Sequence, residues 1–129
     1  VTEVDDLFNH EPLATETRVL LNAYAENALE AGRYDFRMGH KLEAHLRQAG
    51  FLVSKKLILA DQELSFIGRG HPDVLEAWSN RFARMELLRQ FCGEQAQTVE
   101  QEFMASLERD DHYSLAKVYC CTASKTRLL

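Results

Sequence analysis

The segment Leu42-Glu43-Ala44-His45-Leu46-Arg47-Gln48-Ala49-Gly50-Phe51-Leu52-Val53 limits the possible folds more than any other. Leu42, Leu46 and Ala49 lie on one side of a helix, and Gly50 follows where that helix must close. Glycine just past a helix end supplies the left-handed backbone that finishes the last turn. A run of strand-forming residues starts at once with Phe51. A helix therefore feeds a strand with almost no loop, which is the connection of an α/β layer.

The remaining periodicity extends this pattern in both directions. Residues 1–5 read as a short extended piece, followed by a polar loop through Pro12. Thr15 is placed to cap a helix over 16–31, whose stripe is Leu20, Leu21, Tyr24, Ala25 and Ala28, with Gly32 as its stop. A second helix is expected over 36–49, with Asp35 able to cap it. A strand from Phe51 to Ala60 follows, then a turn at Asp61-Gln62 and an extended piece over 63–67. Gly68-Arg69-Gly70-His71-Pro72 is the clearest break, with Pro72 pre-set for a helical first turn. The helix over 72–91 carries Leu75, Trp78, Phe82, Met85 and Leu88 at core spacing. A further helix over 95–108 carries Ala96, Val99, Phe103 and Leu107. Tyr113–Ala123 reads as a strand with apolar residues on both faces, which suggests an inner position.

Composition excludes some functions. The chain has 129 residues, enough for a single domain with a real core. Its 15 Lys and Arg against 20 Asp and Glu give no basic face for nucleic acid. No apolar run approaches the roughly 18 residues that span a bilayer. Three cysteines, Cys92, Cys120 and Cys121, are an odd number for a disulfide framework and suit reduced thiols in a cytoplasmic protein. The chain opens without a methionine, in what reads as a strand end, so residue 1 is expected to be an internal cut.

The order strand, helix, helix, strand, helix, helix, strand resembles the second half of a class I S-adenosylmethionine-dependent methyltransferase. The residues that carry the likeness are the junction at Gly50 with the preceding Asp35–Gly39, the stretch Trp78, Arg81, Phe82 and Met85, and the closing strand from Tyr113. The resemblance implies an α/β fold holding part of a doubly wound sheet, its last three strands. The final strand would insert antiparallel between two parallel ones, with a helical insertion over 68–110 between the last two strands. It also implies transfer of a methyl group from S-adenosylmethionine to a small-molecule acceptor in the complete enzyme. The cofactor motifs of the family are missing. Only Gly68 and Gly70 form a Gly-x-Gly, and no third glycine follows at the required offset. The cofactor would belong to a missing N-terminal region, and this chain alone is expected neither to bind it nor to catalyse.

Ligands of open α/β sheets bind beyond the carboxyl ends of the strands. If residues 1–5 end a strand, Asp5, Asp6 and His10 sit there as candidate substrate-binding residues, with Glu3 close by. Arg37 joins them from the start of the second helix, beside Tyr34 and His40. Methyl transfer needs alignment and sometimes removal of a proton, and these side chains can supply both. The five histidines show no metal-ligand spacing. A stand-alone interaction module is the competing expectation, pairing as a homodimer through the apolar helix or an open sheet edge.

Overall fold

A computed structural model describes residues 1–125. Its elements in chain order are β1 (Thr2–Asp5), β2 (His10–Glu11), α1 (Thr15–Glu30), α2 (Leu42–Gln48), β3 (Phe51–Leu59), α3 (Pro72–Arg84), α4 (Glu86–Cys92), α5 (Ala96–Leu107), β4 (Tyr113–Ser114) and β5 (Lys117–Lys125). The fold is α/β. Three strands form a sheet in the order β1-β5-β3, and β2 pairs with β4 in a second, two-stranded ladder. β5 is antiparallel to both of its neighbours, so β1 and β3 run the same way. Helices α3 to α5 fill the chain between β3 and the last two strands.

The helix-to-strand junction at Gly50 folds as its residues require. Gly50 has φ +90°, and Phe51 starts β3 immediately after it. The helix before it is shorter than its periodicity suggested. Residues 39–41 form a 3-10 turn, and only Leu42–Gln48 are α-helical. Gly39 is closely packed in this turn: a Cβ there would lie 2.7 Å from Asp5 Cβ and 2.8 Å from Tyr119 Cδ2. The chain is pressed against the sheet at that point and straightens into a helix only after it.

Other boundaries also move for physical reasons. Ala14, not Thr15, occupies the N-cap of α1, and no side chain caps it. The expected 72–91 helix breaks at Met85 into α3 and α4. Arg89 Nη1 donates to the carbonyls of Phe82 and Ala83 at 2.8 and 2.9 Å, replacing the helical partners that those oxygens lose. The 63–67 piece is not a strand; it is held by isolated bridges, Asp61 to Ser65 and Ile67 to Tyr113. The last strand is interrupted at Leu115 and Ala116, whose amides both donate to the Asn9 carbonyl.

The core lies among the helices. Trp78, Phe103 and Leu107 are fully buried, with Phe8, Phe82, Leu21 and Tyr24 packed around them. Trp78 Nε1 donates to the Glu63 carbonyl at 2.6 Å, so the indole is buried without an orphaned donor. The sheet is covered less evenly. β5 is its inner strand, and Val118 and Cys121 are buried, but Leu52, Leu57 and Leu59 of β3 stay 54, 42 and 36 % exposed. Their directly opposite partners on β5 are Ser124, Cys120 and Val118, so all three leucines share one face. Among the described residues, no helix is long and apolar enough to cross a membrane.

Candidate functional site

The carboxyl end of β1 gathers most of the polar residues singled out in the sequence. Asp6 follows the strand with φ 60°, a conformation that few residues other than Gly, Asn and Asp adopt. Its amide donates to the Phe36 carbonyl at 2.7 Å, and its Oδ2 accepts from Asn9 Nδ2 at 3.0 Å. Arg37 Nε stands 3.6 Å from Asp6 Oδ1. Asp5, Asp6 and Arg37 therefore share one mouth, joined through the segment that leads to the 3-10 turn.

Asp5 is committed to His40. Its Oδ1 accepts from the His40 backbone amide at 3.2 Å and lies 2.7 Å from Nδ1 of the same ring. A carboxylate can only accept, so in the neutral imidazole Nδ1 carries the proton and Nε2 holds the free lone pair. The His40 side chain is 52 % exposed. An oriented, solvent-facing imidazole of this kind can take a proton from a bound nucleophile. Nearby, burial pushes the Asp35 carboxyl up, but Lys41 Nζ at 2.8 Å and the Arg37 amide at 2.9 Å outweigh it and hold the group below its ordinary value.

An open cleft of about 260 Å³ lies beside this mouth, lined by Leu7, Tyr34, Phe36, Arg81 and Met85. Leu7 comes from the loop after β1, Tyr34 and Phe36 from the segment before the 3-10 turn, and Arg81 and Met85 from α3 and its end. The Tyr34 and Phe36 rings meet edge to face with centroids 4.7 Å apart. Four of the five lining residues are therefore apolar or aromatic, and the fifth is Arg81.

His10, grouped by sequence with Asp5 and Asp6, is separated from them by the fold. It is fully buried in β2, against Trp78 and Phe103. Its Nδ1 is 2.8 Å from His112 Nε2, and His112 Nδ1 is 2.9 Å from the Gly68 carbonyl. The carbonyl can only accept, so His112 donates from Nδ1 and accepts at Nε2 from His10. His10 Nε2 is left buried without a partner. Burial, and then the neighbouring His112, lower His10 to about 3, with the Leu7 and Leu64 carbonyls offsetting part of the shift. Burial lowers His112 as well. A neutral pair enclosed this way ties β2, the Gly68 break and the start of β4 together and is closed off from solvent.

No family model, curated protein or solved structure matches this chain. The functional reading therefore rests on the residues themselves. His40 is the member of the site that sequence reasoning undervalued. It stood among the residues at the start of the second helix, and its partnership with Asp5 spans 35 positions. Met85, expected on a core helix face, instead borders the cleft together with Arg81. Among the described residues, no group of three or more His, Cys, Asp or Glu side chains converges as a metal site would.

Proposed function

We propose that this chain is the carboxyl-terminal, substrate-side part of a cytoplasmic class I S-adenosylmethionine-dependent methyltransferase acting on a small-molecule acceptor. The observation that carries the reading is strand order. β5 lies antiparallel between β1 and β3, which run the same way, and helices intervene between β3 and the last two strands. That is the arrangement the resemblance implies for the last three strands of the doubly wound sheet. The mouth at the carboxyl end of β1 is where such a sheet binds its ligands.

S-adenosylmethionine supplies an electrophilic methyl group when bound. The sequence holds a single Gly-x-Gly, Gly68 and Gly70, with no third glycine at the offset that a cofactor turn uses. On this reading the cofactor is held by a region outside this chain. The chain's own contribution is to seat the acceptor in the apolar cleft, orient it at Asp6 and Arg37, and receive its proton at His40 Nε2.

The test is transfer of labelled methyl from S-adenosylmethionine by the full-length protein into a fractionated pool of small molecules. Label should enter the small-molecule fraction, and His40→Ala should reduce it strongly while leaving the melting temperature nearly unchanged. Label confined to protein or nucleic acid, or absent altogether, would defeat the proposal. A second reading, an interaction module pairing with another copy, is favoured by the exposed leucines of β3 and its unpaired edge. A monomer by light scattering at high concentration would remove it.

A further inference from the structure

We infer that the cleft beside the β1 mouth binds a one- or two-ring aromatic molecule carrying a carboxylate, with Arg81 as the residue that recognises the charge. This rests on the substrate-side reading above and names the class of acceptor.

The shape and lining select the ring. At about 260 Å³ the cleft falls below the roughly 300–1,000 Å³ of pockets for drug-sized ligands, so it suits a small molecule. Tyr34, Phe36, Leu7 and Met85 offer two ring surfaces, an aliphatic wall and a thioether, all of which pack well on a flat arene. Among these, Tyr34 is the half-exposed ring, 48 % accessible, and Phe36 is buried behind it.

The charge comes from Arg81, which also lines the cleft. Its guanidinium lies 4.7 Å from the centre of the Trp78 ring, and Nη2 reaches Glu63 Oε1 at 3.3 Å. Nη1 is enclosed by the protein, with no hydrogen-bond partner among the described residues, so a ligand in the cleft meets the rest of the guanidinium on a side chain that is 22 % exposed. Stacking on Trp78 holds the guanidinium plane in place, and a carboxylate matches that planar fork better than a lone carbonyl does. Glu63 is 39 % exposed at its side chain, so its single long contact leaves the guanidinium charge partly unspent.

The experiment uses full-length protein with methyl-labelled methionine, titrated with 1-naphthoate and with the neutral 1-naphthamide and followed by NMR. The Met85 methyl should shift saturably, with Met104 as the internal reference. Naphthoate should bind about tenfold tighter than the amide, the effect of one charge-assisted contact. Arg81→Gln should bring that ratio close to one. Tyr34→Ala, at a half-exposed position, should weaken both ligands severalfold and keeps the test alive if the Arg81 variant fails to fold. Equal binding of acid and amide, binding that leaves Met85 unmoved, or no binding would overturn the inference. Binding is read without methyl transfer. Loss of the carboxylate preference thus speaks against the ligand class alone, and a failure to bind S-adenosylmethionine speaks against the methyltransferase reading alone.

Discussion

Acidification should destabilise this protein through His10 well before its carboxylates titrate. In the unfolded chain the ring takes up a proton as pH falls through 6.5, whereas in the fold it resists until about 3. The unfolded state binds more protons throughout that window, so stability is complete above 6.5 and is lost as pH drops toward 3. From those two values the loss is about 1.4 kcal/mol at pH 5.5 and on the order of 4–5 kcal/mol below pH 3. His112, also lowered by burial, adds in the same direction. Urea unfolding, followed by Trp78 fluorescence between pH 8 and 5.5, measures the effect above the carboxylate range. A double variant, His10→Gln with His112→Gln, keeps hydrogen-bonding capacity without titrating. Wild-type protein should lose at least about 1.4 kcal/mol more than this variant over the interval. Parallel slopes for the two proteins would refute the buried neutral pair.

Three further outcomes follow from the packing and the mouth. Trp78→Ala should lower stability by about 3–5 kcal/mol at every protein concentration, and the wild-type indole should emit at the blue end of its range; a red-shifted maximum would contradict its burial. Gly39→Ala must push Asp5 or Tyr119 aside and should cost about 1–3 kcal/mol, measured by thermal unfolding; a neutral result would mean that the 3-10 turn moves freely. His40→Gln should depress methyl transfer at saturating substrate, in kcat more than in KM, and unchanged kcat would remove His40 as proton acceptor.

What was legible in the chain was local. Gly50 before Phe51, the stripe of α1 and the alternation of the last strand depend on neighbours in sequence, and each element formed close to its expected place. The break at Met85 was hidden because no Gly or Pro marks it; a guanidinium from Arg89 makes it tolerable. β2 and β4 are two-residue strands whose partner is about a hundred positions away, too short to leave a pattern. The same distance concealed His10, which looks like part of a polar loop until His112 and the core aromatics close over it. The site was half legible. Asp5, Asp6 and Arg37 lie together beyond β1, but the Asp5–His40 contact and the cleft at Arg81 arise from chain crossings that spacing does not encode.

The central claim is tested most directly by equilibrium dialysis of labelled S-adenosylmethionine against two samples, the full-length protein and residues 1–129 alone. The account predicts saturable binding by the full-length protein and none by the shorter chain, where no third glycine follows Gly68 and Gly70 at the required offset. Micromolar binding by residues 1–129, or no binding by the full-length protein, would contradict it.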